Sequence, residues 1–141
     1  MTFNKFVSKD EIKNYSIEKF TGKIHVIEKE NDVLAAYSFL KKQKILGFDT
    51  ESKPTFKKGV SSHVSLIQFS TNDQAFLFRI NKIGFNEKLI DIISDKKIKK
   101  IGIAIFDDIK ALQKIKCFES NSIIDLNQLA LNLGFESIGA V

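Results

Sequence analysis

Four carboxylates in two short clusters carry the clearest chemistry in this chain. Asp49 and Glu51 close the run Ile45-Leu46-Gly47-Phe48-Asp49-Thr50-Glu51, and Asp107 and Asp108 follow Ile101-Gly102-Ile103-Ala104-Ile105-Phe106. A short apolar run reads as a buried strand, so each acidic cluster lies at a strand's carboxyl end. Side chains alternate along a strand, which turns Asp49 and Glu51 to one face. Like charges that close raise one another's pKa and coexist only when protonated or neutralised; a hard divalent cation with oxygen ligands is the usual neutraliser. Three carboxylates meeting in one cavity suit two such cations, which activate a water and steady the leaving oxygen of a phosphodiester. Plainer readings stay open, because an Asp where a strand passes into a helix is commonly an N-cap, and Asp-x-Glu is common on surfaces.

The two clusters can meet only if the strands bearing them are parallel neighbours, since the reactive crevice of an open α/β sheet lies beyond the carboxyl ends of its strands. Residues 1–22 mix Lys, Glu, Asn and Ser with scattered apolar positions and read as a partly ordered leader, in which Asp10-Glu11-Ile12 opens a short helical turn. Residues 23–28 alternate, with Ile24, Val26 and Glu28 on one side, as a first strand does. Asn31 or Asp32 is placed to cap a helix that carries Val33, Leu34, Tyr37, Phe39 and Leu40 as far as Lys44, and this helix leads into the strand at 45–51. Residues 52–59 hold the single Pro, several cations and Gly59, and predict a loop.

Val64-Ser65-Leu66-Ile67-Gln68-Phe69 and Ala75-Phe76-Leu77-Phe78-Arg79-Ile80, joined by a short polar turn, predict an antiparallel meander with the strand bearing Asp49. Leu89, Ile90, Ile92 and Ile93 form a helical stripe over 87–95, and the nearly wholly apolar strand at 99–105 fits a central or parallel position. Phe106-Asp107-Asp108 opens a helix with Ile109, Leu112 and Ile115; 122–125 is a short apolar step; Leu126, Leu129, Ala130 and Leu133 make a last helix that stops at Gly134. A meander of three strands followed by alternating helix and strand predicts an α/β domain with a mixed sheet.

A chain of 141 residues, 43% apolar and 28% charged, is a single globular domain by size and composition. Its apolar runs fall far short of the roughly 20 residues that a membrane helix needs, and the amino end lacks the order of a secretory signal. The lone Cys117 excludes an internal disulfide and a multi-cysteine metal site, and it fits a small buried hydrophobe. A cytoplasmic location is the default expectation. The net charge of +5 leans towards a polyanionic partner, although abundant Lys, Ile and Asn also arise from a genome's base composition.

Gly47-Phe48-Asp49-Thr50-Glu51-Ser52-Lys53-Pro54-Thr55-Phe56-Lys57-Lys58-Gly59, followed by Val64-Ser65-Leu66-Ile67-Gln68-Phe69, resembles the first exonuclease motif of the DEDD superfamily, in the branch of ribonuclease D and the Werner-helicase exonuclease domain. Ile101-Gly102-Ile103-Ala104-Ile105-Phe106-Asp107-Asp108-Ile109-Lys110-Ala111-Leu112 resembles the second motif, where a Gly-bearing strand leads to an Asp on the following helix. The resemblance runs from about Ile24 to the last residue. It implies a ribonuclease-H-like mixed sheet, an antiparallel three-strand meander plus parallel strands flanked by helices, and metal-dependent removal of nucleotides from a 3′ end. It also implies that Asp49 bridges two Mg²⁺ or Mn²⁺ ions, that Glu51 holds one and orients the attacking water, and that Asp108 supports the second. Asp107 competes with Asp108, but the match of Ile109 to Leu112 behind the motif favours Asp108.

Family members carry a third motif near the carboxyl end, a Tyr or His four residues before a further Asp. Tyr15 and Tyr37 precede the first motif, His25 and His63 have no matching downstream Asp, and the chain stops at Ser137-Ile138-Gly139-Ala140-Val141. The expectation is therefore one exonuclease domain over 23–141, incomplete at its carboxyl end and impaired, to which a grafted Tyr-x-x-x-Asp helix would restore activity. Asp125 is better read as a helix cap than as a ligand.

Around the motifs, Lys53, Lys57 and Lys58 could hold phosphates without reading sequence, or simply face water. Phe48 and Phe56 could stack a terminal base, while most of the 13 Phe residues belong to the core. Gln68 lies on a strand beside the first motif and faces either the cleft or solvent. His63 has a pKa suited to acid-base work, but a lone His in a polar loop is usually structural or exposed. The expected substrate is the single-stranded or frayed 3′ end of DNA or RNA. The alternatives are a non-catalytic nucleic-acid-binding module with the same fold, and a protein-interaction domain whose acidic pair is incidental. The residues point to no membrane and to no particular protein partner.

Overall fold

The computed structural model describes residues 4, 6–59 and 63–136. In chain order the elements are α1 (Lys9–Ile12), β1 (Lys23–Ile27), α2 (Glu30–Leu40), β2 (Ile45–Ser52), β3 (Val64–Ser70) and β4 (Gln74–Phe78). They are followed by α3 (Ile80–Ile83), α4 (Glu87–Ser94), β5 (Lys99–Gly102), α5 (Ile105–Ile115), β6 (Ile123–Asp125) and α6 (Leu126–Asn132). The six strands form one sheet in the order β1-β4-β3-β2-β5-β6. β2, β3 and β4 are the antiparallel meander, and β1 on β4, β5 on β2 and β6 on β5 are parallel. The expected mixed sheet with its three-strand meander is thus the observed one.

Register decides which side of the sheet is filled. Phe48 and Thr50 of β2 lie opposite Phe69 and Ile67 of β3, which lie opposite Phe76 and Phe78 of β4. Apart from Thr50 these side chains join one cluster with Val33, Ala36 and Leu40 of α2, Leu89, Ile92 and Ile93 of α4, and Ile105, Ile109 and Leu112 of α5. The packed helices therefore share one side of the sheet. Each fully buried Leu, Ile or Phe there contributes about 1.5–3 kcal/mol. The other side holds Ile24, Val26 and Ile45, 56%, 51% and 55% exposed, in the rows that also hold Asp49 and Glu51. Stability lives on the helix side, and the acidic pair stands on the open one.

Several expected boundaries move. β1 turns Ile27 inward and leaves Ile24 and Val26 on the open side, while Glu28 pairs with Arg79 beyond the strand. α2 begins at Glu30 with Lys29 as its N-cap and no side-chain cap bond, so Asn31 and Asp32 fall inside the first turn rather than capping it. An acid in the first turn complements the positive end of the helix dipole, which is the service Asp32 can give there. β5 ends at Gly102, three residues before the apolar run does, because Ala104 adopts a left-handed φ of 57° and α5 starts at Ile105. The short apolar step before α6 is a true edge strand, β6. α6 stops as expected, with Gly134 at a φ of 90°.

Cys117 is exposed, against its expected burial. It follows the end of α5, and its neighbour Phe118 takes the inward place, edge-on to Phe85 with centroids 5.6 Å apart. In the expected leader, Ser8 and Glu11 form a reciprocal capping box around α1, which buries no residue. The segment 137–141 and residues 60–62 of the loop after β2 lie outside the described residues. Among the described residues no helix is long and apolar enough to cross a membrane.

Candidate active site

β2 positions Asp49 and Glu51 because its even residues are claimed by the core. Leu46, Phe48 and Thr50 are buried and Asp49 and Glu51 are exposed, the alternation a one-sided strand requires. Gly47 lets β3 approach: a Cβ there would lie 2.3 Å from the Ser70 hydroxyl oxygen. The register with β3 slips between Glu51 and Ser52, an irregularity of the kind that re-aims side chains beside sites. Gln68 is the cross-strand partner of Asp49 and shares its face.

The second cluster arrives through β5, which runs parallel to β2 with Gly47 opposite Ile101. Gly102 has to be Gly, since an added Cβ would meet the Phe48 carbonyl oxygen at 2.3 Å and Ile105 Cγ2 at 2.4 Å. The left-handed turn at Ala104 then starts α5, whose first turn carries Asp107 and Asp108. Asp108 is half-buried and its Oδ1 accepts a hydrogen bond from the Thr50 hydroxyl at 2.7 Å, whereas Asp107 is exposed. Burial pushes the Asp108 carboxyl above the ordinary carboxylate range; the Thr50 hydroxyl pulls it down, and the charges of Asp49, Asp107 and Glu51 raise it further. The two clusters therefore act on one another across 58 positions of sequence.

Among the described residues no group of three or more His, Cys, Asp or Glu side chains is placed so that it could hold a metal ion. The donor set nevertheless has the chemistry that a hard divalent cation selects. It is all carboxylate oxygen, and the neighbouring negative charges that raise Asp108 are of the sign a cation relieves.

Lys53, Phe56 and Lys57 line an open cavity of about 510 Å³ with His63, Ser65 and Asn81, directly beyond the acidic strand end. Phe56 is 97% exposed, and Lys58 is exposed beside that cavity's loop. Phe48 is not available to a base: it is 3% exposed and packs on Phe69 with centroids 5.5 Å apart. The alternation that frees Asp49 forces Phe48 inward. Asp125 is the N-cap of α6, as expected, with its carboxylate accepting from Asn127 N. A further cavity of about 570 Å³ lies among His63, Ile80, Phe85 and Ala111, and neither cavity is lined by any of the four carboxylates. Thr50 is the hydrogen-bond partner of Asp108 that a search for carboxylates alone passes over; a polar residue at a core-facing strand position was the signal for it.

Comparison with known proteins places these features in a family. Residues 24–138 match the family model described as 3′-5′ exonuclease. The mouse bifunctional 3′-5′ exonuclease/ATP-dependent helicase WRN is 31% identical over 88 residues, which are 61% of this chain and 6% of that protein. The crystal structure of the Aedes aegypti Nibbler EXO domain superposes with a TM-score of 0.71 at 25% identity, covering 84% of this chain and 64% of that one. The EXD2 exonuclease domain, in crystals soaked in Mg and GMP, superposes with a TM-score of 0.66 at 25% identity over 79% of this chain and 60% of that one. The chain thus spans less than two thirds of the length of each of these proteins. With both acidic motifs inside the matched segment, the chain belongs to the 3′-5′ exonuclease family.

Proposed function

We propose that this chain removes nucleotides from the 3′ ends of single-stranded or frayed DNA or RNA, with Mg²⁺ or Mn²⁺ as cofactor. The observation that carries this reading is the hydrogen bond from Thr50, which stands between Asp49 and Glu51 on β2, to the half-buried Asp108 in the first turn of α5, which follows the parallel neighbouring strand β5. Asp49, Glu51 and Asp108 are the residues that would hold the cations. Cations so held supply an activated water and offset charge on the departing 3′ oxygen. Thr50 steadies the Asp108 carboxylate through its hydroxyl. Lys53, Lys57 and Lys58 place the phosphates without reading bases. Phe56 offers a free ring face to the terminal base, and Gln68 stands beside Asp49 to meet its polar edge. In this reading residues 23–141 form the nuclease unit, residues 1–22 are a leader, and the protein works in the cytoplasm.

Release of label from a 3′-labelled oligonucleotide in Mn²⁺ tests the proposal. The parent should release mononucleotide, and Asp49→Ala should be slower by about a hundredfold or more, the scale of losing one transition-state electrostatic contact. Equal rates in parent and variant would remove the site assignment. Binding that weakens steeply with salt, with no label released, would instead make the chain a nucleic-acid-binding module.

A further inference from the structure

Asp125 is 7% exposed, and its Oδ1 accepts two backbone N–H groups, from Asn127 at 2.9 Å and from Ala104 at 3.2 Å. The first bond caps α6. The second reaches the turn between β5 and α5, beside which Asp125 is held by the β6 register that sets it opposite Gly102. Ala104 immediately precedes α5, supplies no side-chain cap to it, and holds a left-handed φ of 57°. That conformation costs about 1–2 kcal/mol for a residue with a Cβ, so the surrounding structure has to over-determine it. Among the described residues none of the ion pairs involves Asp125, which leaves its carboxylate to these two amides.

We infer that Asp125 is a positioning residue: by holding the Ala104 N–H it fixes the turn that aims the first turn of α5, and so sets where the Asp108 carboxylate meets β2. The linkage is short. Ala104 lies one helical turn before Asp108, and Asp108 is tied to Thr50 at 2.7 Å. A carboxylate suits the place, because both amides stand at the positive ends of helices. An Asn side-chain oxygen can accept the same two bonds, so geometry and charge are separable by mutation. The inference rests on the proposed part of Asp108 in holding a cation.

The test titrates Mn²⁺ into the whole chain by calorimetry, and follows the carbon-13 shift of the Asp108 side-chain carboxyl by NMR. Asp125→Ala should weaken Mn²⁺ binding about tenfold, the scale seen when a residue behind a metal ligand is removed, and should move the Asp108 shift. Asp125→Asn should keep both within twofold of the parent. Asn86→Ala, which removes the cap of α4 away from the site, should lose stability without changing either readout. Unchanged Mn²⁺ affinity and Asp108 shift in Asp125→Ala would overturn the inference. So would an Asn variant as weak as the Ala one, since that result makes the charge of Asp125, and not its hold on Ala104, the active feature. If the parent binds no Mn²⁺ in a manner sensitive to Asp49→Ala, the functional reading fails instead. The Asp108 shift in the Ala and Asn variants then decides the positioning role alone.

Discussion

A single hydroxyl joins the two acidic clusters. Thr50 stands between Asp49 and Glu51 but points to the helix side of the sheet, where it is 8% exposed and donates to Asp108. Thr50→Val keeps the shape and the β-branching while removing the donor, so the half-buried carboxylate loses its partner. The expected cost is about 1.5 kcal/mol, read as a lower urea midpoint with an unchanged slope, and Thr50→Ser should recover most of it. An unaltered midpoint in the Val variant would mean that water replaces the hydroxyl without loss. At this scale Asp49, Glu51 and Asp108 were candidates because acids close two apolar runs, but N-cap and surface readings fitted those residues equally well, and only the motif resemblance singled out Asp108 over Asp107. The Thr50–Asp108 bond was not legible, since it joins residues 58 positions apart and depends on how α5 is set against β2. The expectation that Phe48 stacks a base fails on the same alternation that exposes Asp49, a rule already visible in the residues.

The turn from β5 into α5 decides whether the second cluster reaches the first, and two substitutions there should act in opposite directions. Gly102→Ala forces a Cβ to within 2.3 Å of the Phe48 carbonyl oxygen, a backbone atom that cannot swing aside, so about 1–3 kcal/mol of stability should be lost. Ala104→Gly relieves a left-handed φ of 57°. The relief of about 1–2 kcal/mol is reduced by the about 0.4–1 kcal/mol of freedom that Gly gives the unfolded chain, leaving a net gain of roughly half to one kcal/mol. Thermal melts of the two variants check the pair, and destabilisation by Ala104→Gly would show that the turn is not strained. The break at Ala104 was hidden from the sequence because neither Gly, Pro nor Asn marks it, and the apolar run continues to Ile105 as one strand would. Gly134 shows the opposite case: a helix stop was legible there because the residue that allows a left-handed φ was present.

Over the whole molecule, the pairing of β3 with β4 was readable because only residues 71–73 join them, whereas residues 53–63 separate β2 from β3. The pairings of β1 with β4 and of β5 with β6 depend on crossovers that local pattern does not specify. Lys100 shows the same limit. The strand at 99–105 reads as nearly wholly apolar, yet register sets Lys100 between Leu46 and Ile123 with its side chain wholly buried. Its Nζ donates to the carbonyl oxygens of Asp95 and Ile98 at 2.7 and 2.6 Å. Desolvation lowers its pKa from 10.5 to about 8; the Asp95 charge pulls it up and the Lys41 charge pushes it down. The folded chain therefore holds this proton less tightly than the unfolded chain does. Below about pH 8 both states carry it, and the penalty of the buried charge is fully present. From about pH 8 to about 10.4 the unfolded state binds more protons, so this group's contribution to stability rises with pH by about 3 kcal/mol. Lys100→Met abolishes that titration, while Tyr37, whose pKa is also shifted, remains in both proteins; Lys41 remains too and loses only the repulsion it shared with Lys100. Urea unfolding of parent and Lys100→Met at a series of pH values should show the difference moving in the parent's favour by about 2–3 kcal/mol between pH 7 and 10.5. A difference that stays flat would mean that the buried ammonium keeps its proton as firmly as an exposed one.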